Sequence, residues 1–490
     1  MPFLKSREKK RYKRYIRVFL RQYQSPVTCR ECGGAKLRRE ALHVRVGGRT
    51  IAEVGDVPLE GLHGWVRDLE LTEMEEKIAV TILRELRSRL SFLVEVGLGY
   101  LTLDRQTRTL SGGEAQRINL ANSLGSSLVD TLYVLDEPTV GLHPRDTGAL
   151  LDLLGRLRDG GNTVVIVEHD PQAIDAADHI VELGPASGER GGEVVFEGAP
   201  DALSSADTAT GRFLSGETEI PVPDRRRPVE GARLGLRDAR LHNLAGVDVE
   251  FPLGALTVVT GVSGSGKSTL VHDILFRALE QELEGGETSA KEHLGEAVGE
   301  YEALEGVGRL DEVVLVDQSP IGRTPRSNPV TYIKAWNYIR DLYAAQPLSK
   351  DRGYEPGHFS FNVAGGRCEE CKGAGQVEIE MVFMADVYVP CDVCGGKRYK
   401  PEVLEVKYKG LNIADVLELT VDEAIRFFIR QDALGQTLWH LQEVGLGYLR
   451  LGQPAPTLSG GEAQRLKIAR ELASASGKQG RKIYLLDEPT

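Results

Sequence analysis

No uninterrupted run of 18 or more apolar residues occurs in the 490 residues, so no helix that spans a bilayer is expected. The opening MPFLKSREKKRYKRYIRVFL is too charged throughout to supply the apolar core of a secretory signal, and the chain is read as cytoplasmic with no membrane partner. Cysteine is scarce: six residues, all in the CxxC pairs Cys29/Cys32, Cys368/Cys371 and Cys391/Cys394, a pattern of metal knuckles that excludes a disulfide scaffold. An excess of positive charge is also missing, since 60 Lys and Arg stand against 72 Asp and Glu for a net charge of −12. The overall field therefore repels a polyanion, and any nucleic acid must be held by local basic patches. What is abundant is glycine, 55 residues, which signals many tight turns and close backbone approaches. The length predicts several domains with cores of their own.

The chain repeats itself. EVGLGYL stands at 95–101 and at 443–449, and TLSGGEAQR at 109–117 and at 457–465, both at an offset of 348 residues. LYVLDEPT (132–139) is matched by IYLLDEPT (483–490), and the stretch that opens CRECGG is echoed by the one that opens CDVCGG. So long an offset means a duplicated domain rather than a solenoid. Between the copies, residues 218–233 carry three prolines and a charge run without apolar periodicity, and read as a linker. Residues 280–308, rich in Glu and Gly, read as a solvated insertion.

GVSGSGKST fits G-x-x-x-x-G-K-[ST] and sits between an apolar strand, TVVT, and a helical pattern, the context a P-loop requires. Gly261, Gly264 and Gly266 allow the backbone N–H groups of the loop, with Ser263, Ser265 and Thr269, to face phosphates; Lys267 can reach the β and γ phosphates of ATP, and Ser268 can ligate Mg²⁺. Each DEP follows a strand-like apolar run, which puts Asp136 or Asp487 at a strand's carboxyl end where Mg²⁺ would lie. Glu137 or Glu488 is then the candidate general base for an attacking water. Ser111, Gly112, Gly113 and Glu114, and again Ser459, Gly460, Gly461 and Glu462, read as an N-cap, two glycines and the start of a helix, an anion site suited to a phosphate presented from elsewhere.

Occurring twice, each time ahead of a DEPT strand, LSGGE resembles the signature motif of the ABC ATPases. That resemblance implies two copies docked head to tail, each signature closing over the other's P-loop. Gln318 then resembles the Q-loop, GLHPRD (141–146) the D-loop, and His169 the switch histidine. Cys368, Cys371, Cys391 and Cys394, with 19 residues between the two pairs, fit a closed tetrahedral Zn²⁺ site, and the usual context of a redox CxxC is missing.

The zinc module between Q-loop and signature is not a general ABC feature. Together with DQSPIGRTPRSNPVTY (317–332) it resembles the UvrA family, and the similarity covers nearly the whole chain. The fold implied is α/β, tandem ABC-type P-loop ATPase halves with inserted zinc-bearing signature domains. The boundaries are the end of signature domain I at 1–92, the closing half of ATPase domain I at 93–217, the linker at 218–233, the opening half of ATPase domain II at 234–322, signature domain II at 323–440 and the start of its closing half at 441–490. The activity implied is DNA-dependent ATP hydrolysis in bacterial nucleotide excision repair, linked to the SOS response: a homodimer that holds damaged double-stranded DNA and loads UvrB for the UvrB–UvrC excision nuclease. Recognition of distortion needs mainly cations on phosphates. The candidates are Arg323, Arg326, Asn328, Arg367, Lys372, Lys397, Arg398 and Lys400, whereas Phe383 and Tyr388 on a hairpin between the knuckles are expected to pack.

The family pattern places a first P-loop, a UvrB-binding domain and a CxxC partner for Cys29 and Cys32 ahead of residue 1, and a second switch histidine after Thr490. The chain is therefore expected to be a truncated form that binds no stable metal at Cys29/Cys32 and hydrolyses ATP poorly. The basic opening, Lys5 to Arg21, is read as the solvated face of an amphipathic helix in preference to a nucleic-acid arm. The alternatives are a shorter UvrA-like paralogue for resistance to DNA-damaging drugs, or a DNA-binding fragment without useful ATPase; a membrane-exporter ATPase should lack both the zinc insertion and GRTPRSN.

Overall fold

The computed structural model describes residues 29–107, 110, 112–124, 129–283, 299–322, 324–379, 387–475 and 480–489. The basic opening, Ser111, Arg323, Phe383 and most of the acid run fall outside them. The described chain divides into two compact units, residues 1–182 with 194–307 and residues 183–193 with 308–490. Those units do not follow the repeat, because the P-loop segment groups with the first copy.

In the first unit the helix Glu73–Leu93 begins at a capping box, where Thr72 Oγ1 accepts from Glu75 N and the Glu75 carboxylate accepts from Thr72 N. It packs beside the helix Leu59–Arg67, and Leu59, Leu62, Leu90, Leu98, Leu150 and Leu153 close one core. Strand β1 (Leu132–Asp136) pairs in parallel with β2 (Thr163–Val167), from Leu132 opposite Thr163 to Asp136 opposite Val167. The helix Pro144–Asp159 makes the crossover, its apolar positions 150, 153 and 154 recurring at helical spacing on the buried side. Strands β3 (Ile180–Gly184) and β4 (Glu193–Gly198) pair next, and residues 217–231 then run exposed and without regular structure inside the first unit.

An antiparallel sheet follows, in which β5 (Arg233–Leu241) lies between β6 (Leu244–Pro252) and β7 (Ala303–Glu305). Leu236 and Ala239 of β5 pack on Leu270 and Ile274 of the helix that leaves the P-loop, a wide-turned stretch over Thr269–Phe276 that continues as Arg277–Leu283. Two expectations are corrected here. The acid-rich segment is not solvated throughout, because Ala303–Glu305 forms β7 and Glu300 bridges to Arg240. TVVT is not a strand: residues 255–260 pair with no strand among the described residues, and Leu256 and Val258 stand 90% and 75% exposed.

The second unit carries the larger core, where Trp336, Tyr343, Phe359, Phe361, Tyr399 and Leu466 are buried together. Strand β8 (Glu312–Val316) pairs in parallel with β13 (Lys482–Leu486), although 165 residues lie between Val316 and Lys482. The cysteine knuckles flank the hairpin of β9 (Gln376–Ile379) and β10 (Val387–Pro390). A two-stranded ribbon leaves one face to water, and Tyr388, expected to pack, is 44% exposed. A short hairpin, β11 (Lys407–Tyr408) with β12 (Leu411–Asn412), leads into the helices before the second signature.

Candidate nucleotide and zinc sites

The P-loop turns through the left-handed region at Gly264 and Gly266, with φ of 75° and 98°. A Cβ on Gly264 would lie 2.5 Å from the Tyr100 ring, and one on Gly266 2.9 Å from Leu244, so neither position accepts a side chain. The Lys267 ammonium donates to the carbonyls of Gly261 at 2.8 Å and Val262 at 3.1 Å, which holds it at the loop it is expected to serve. Two elements of the first copy reach this loop within the first unit. Tyr100 faces Gly264, and His143 N, in the D-loop-like GLHPRD, donates to Ser263 Oγ at 3.3 Å. Tyr100 also donates to Glu114 of the first signature at 2.5 Å, where burial and that carboxylate push the phenol up.

Asp136 ends β1, and the next residue, Glu137, has φ of 43°. Its counterpart Glu488 has φ of 46°, so the repeat preserves an unusual backbone as well as a sequence. Non-glycine residues held there cost about 1–3 kcal/mol and tend to mark functional sites. In the first copy His169 Nε2 stands 2.9 Å from Glu137 Oε1, bringing the expected base and switch histidine together. Glu168 accepts from Thr139 N at 2.9 Å and from His169 N at 2.9 Å, which ties the histidine turn to the DEPT strand. Burial raises the Glu168 pKa, but these hydrogen bonds outweigh it and hold the group below the usual carboxylate value.

In the second unit the helix Gly460–Ala475 starts at a reciprocal cap: Ser459 Oγ accepts from Glu462 N at 3.2 Å, and Glu462 Oε2 accepts from Ser459 N at 2.9 Å. Tyr448 donates to Glu462 at 2.7 Å, repeating the pair of Tyr100 and Glu114. Gln464 on this helix donates to the Asp487 carbonyl at 2.7 Å, and Gln318 to the Glu488 carbonyl at 3.3 Å. Lys467 donates to Ser319 Oγ at 2.8 Å and forms an ion pair with Asp317, both partners largely buried. Sequence reasoning missed Tyr100, Tyr448, Gln464 and Lys467; the two tyrosines were within reach, because both lie in the repeated EVGLGYL, 14 residues ahead of the signature glutamate.

The sulfur atoms of Cys368, Cys371, Cys391 and Cys394 all lie within 4.8 Å of one another, with Cys371 Sγ and Cys394 Sγ 3.7 Å apart. A tetrahedron with Zn–S bonds of about 2.3 Å has edges of about 3.8 Å, so the cluster fits the ion. Burial pushes the Cys371 thiol up and the Cys394 thiol up to about 12, a penalty a divalent cation reverses by stabilising the thiolates. Cys29 is exposed and Cys32 partly so.

The cations proposed for DNA separate into two groups. Lys372, Lys397 and Lys400 are exposed around the cluster, and Arg326 is half-buried in its loop. Asn328 and Arg398 are corrections. Asn328 is fully buried and caps the helix Pro329–Tyr332 through a bond from Thr331 N to its side chain, while Arg398, 8% exposed, donates to the Pro325 and Gly452 carbonyls. Arg367 is partly buried, donates to the Asn362 carbonyl and pairs with Glu369. All three are engaged by the protein's own groups, Asn328 at a helix cap, Arg398 on two carbonyls and Arg367 on a carbonyl and a carboxylate.

Two measurements check this geometry. For Asp317, burial raises the pKa, and the bonds from Lys467 and Ser319 more than reverse it, so its folded value lies below the ordinary ~3.9. The pair's contribution is then present above about pH 4 and lost as pH falls through the folded value. Lys467→Met is expected to cost about 2 kcal/mol in denaturant unfolding at pH 7, with the gap to the parent narrowing toward and below about pH 4; a gap independent of pH would refute the assignment. Elemental analysis is expected to find zinc in the parent and to lose it in Cys391→Ala.

No protein-family model matches the chain. Curated relatives named UvrABC system protein A do match: that of Thermus thermophilus is 53% identical over 493 residues, 100% of this chain and 51% of its own length. That of Methanothermobacter thermautotrophicus is 52% identical over 477 residues, 97% of this chain and 48% of its own. The crystal structure of UvrA2 from Deinococcus radiodurans superposes with a TM-score of 0.84 at 46% identity, over 94% of this chain and 56% of that one. The chain thus spans about half the length of the curated relatives it matches. The fold class is the expected α/β one, with ABC-type P-loop ATPase halves and a cysteine cluster set into the second. On identity near one residue in two along almost its whole length, the chain belongs to the UvrA family.

Proposed function

We propose that the chain is the ATP-hydrolysing and DNA-holding portion of a UvrA-type repair ATPase. The observation that carries this is the meeting, inside one unit, of the P-loop with the first copy's elements: the Tyr100 ring at Gly264 and His143 N at Ser263. That is the head-to-tail relation a composite ATP site requires, in which one half grips the phosphates and the other presents a signature. By their motifs, Gly261 to Thr269 is proposed to hold ATP, Gln318 and Asp487 to serve as Q-loop and Mg²⁺ residues, and Ser111 to Glu114 to serve as a signature that meets a γ-phosphate. Asp136, Glu137 and His169 are proposed for the corresponding Mg²⁺, base and switch roles in the first copy, and Ser459 to Glu462 for the signature role in the second.

Ser268 and Asp487 are each hard oxygen donors of the kind Mg²⁺ takes, and the ion would offset charge developing on the β and γ phosphates. Glu488 takes the proton of the attacking water. Its left-handed backbone supports that role, since such a strained position aims a carboxylate that an ordinary strand end would leave turned along the chain. In the first copy His169 acts on the base itself, because at 2.9 Å from Glu137 it orients the carboxylate toward the water.

Damaged duplex DNA is the proposed partner, held through phosphates by Lys372, Lys397, Lys400 and Arg326, with distortion sensed through deformability rather than base edges. Arg323 is a further candidate of the same loop. A homodimer, delivery of the lesion to UvrB and the UvrB–UvrC excision system complete the proposed pathway. Zinc is proposed as a structural ion that fixes the module bearing the lysines.

Two sets of variants test the reading. Glu488→Gln is expected to slow ATP hydrolysis about hundredfold while ATP binding stays within about twofold. Lys267→Ala is expected to weaken ATP binding at least about tenfold, since one lost charge-assisted phosphate contact is worth roughly 1.5–3 kcal/mol. Unaltered binding by Lys267→Ala would sink the site. For DNA, Lys397→Ala is expected to lower the slope of log affinity against log salt by about 1, uniformly across sequences, and an unchanged slope would remove Lys397 from the interface.

A further inference from the structure

Arg398, a surface candidate by sequence, is buried, and its guanidinium is engaged by the protein. Its position explains the burial. On its backbone side it belongs to the cysteine cluster: it follows Cys394 by four residues, its carbonyl accepts from Cys368 N at 2.9 Å, and its Cγ would lie 3.0 Å from a Cβ on Gly375. Its φ is 69°, the left-handed region, in a residue with a full side chain. Such a conformation persists only where the surroundings impose it.

On its side-chain side it joins two other segments of the same unit. Nη1 donates to the Pro325 carbonyl at 3.2 Å, in the loop that carries Arg326, and Nη2 donates to the Gly452 carbonyl at 3.0 Å. The guanidinium lies over the Phe361 ring, 5.3 Å from its centroid. Gly452 opens a short strap to the second signature. Gly452 N bonds the Leu417 carbonyl, Ala455 N bonds the Ser327 carbonyl at 2.8 Å, and Leu458 N bonds the Ala455 carbonyl, after which Ser459 caps the helix. A Cβ on Gly452 would lie 2.7 Å from Leu417 Cβ, so the strap lies against Leu417 too closely for any side chain at that position.

We propose that Arg398 is a positioning residue that couples the cysteine module to the second signature helix, its planar fork holding the Pro325 and Gly452 carbonyls in one arrangement. A lysine carries a compact ammonium on a flexible stem in place of that planar fork, and does not hold these two carbonyls in the same fixed arrangement. When the module is pulled by a ligand on its exposed lysines, the movement passes through Arg398 to the strap and to the cap at Ser459 and Glu462. The part of this that concerns hydrolysis rests on the composite ATP site proposed above. The part that concerns position does not.

The test therefore has two readouts on the full zinc-loaded chain. By hydrogen exchange, Arg398→Lys is expected to retain its zinc yet to exchange amides at 452–463 at least about tenfold faster than the parent. In the parent itself, stripping zinc with a chelator is expected to loosen 452–463 together with 366–376, which decides the matter even if the variant fails to fold. Exchange at 452–463 that is indifferent both to the variant and to zinc removal overturns the proposal. For hydrolysis, the rise in ATP turnover on adding a duplex oligonucleotide with a bulky adduct is expected to fall at least about fivefold in Arg398→Lys, with unstimulated turnover within about twofold. A parent whose turnover ignores that duplex refutes the repair-ATPase reading, and the exchange measurement still decides the coupling.

Discussion

The candidate chemistry of the second unit depends on one clasp. Strands β8 and β13 are joined edge to edge over a long stretch of intervening chain, and a parallel pair closed by so distant a contact carries a large loop-entropy cost. Two side chains of the second signature helix offset it at the end where the chemistry lies. Gln464 bonds the Val316 and Asp487 carbonyls, and Lys467 bonds Asp317 and Ser319. The backbone of Asp487 is thereby tied to the same helix that begins at the signature cap, and Gln318 holds the Glu488 carbonyl beside it. The signature cap at Ser459 and Asp487 at the end of β13 are so joined through one helix.

That arrangement gives the inserted module its significance. An insertion between Q-loop and signature separates in sequence two segments that must stay in register in space, and the fold answers with a chain of buried contacts. Phe361 and Tyr399 are core residues of the unit, Arg398 sits on Phe361, and its fork ends on the loop and the strap that flank the signature. The cysteine cluster is consequently more than a support for surface lysines. It sets the backbone of Arg398, because Cys368 N bonds the Arg398 carbonyl and Cys394 lies only four residues before it.

The duplication is legible at a finer level than its motifs. Glu137 and Glu488 share a left-handed backbone, and Tyr100 and Tyr448 share a bond to the signature glutamate. Neither could be read from residue type, since glutamate does not ask for positive φ and a tyrosine in an apolar stretch usually packs. Both follow from placement at the end of a parallel strand or at the foot of a signature helix, where the atoms that surround a residue are set by the fold and not by its neighbours in sequence.

The sequence by itself determined what is local and what is periodic: the P-loop with its required glycines, the Ser-Gly-Gly-Glu caps, the strand ends carrying Asp-Glu, and four cysteines spaced for one ion. Each is set by backbone stereochemistry or by ligand chemistry within a few residues, and repetition at a fixed offset tied them to one family. The tertiary structure decided which polar groups face water. Asn328 and Arg398 look like surface residues in a basic stretch, yet one caps a helix and the other bridges two carbonyls, because unsatisfied backbone groups inside the fold cost more than a buried amide or guanidinium that pairs them. TVVT and Tyr388 went the other way, apolar or aromatic in sequence and exposed in the fold, since burial needs a partner layer that no local pattern can supply.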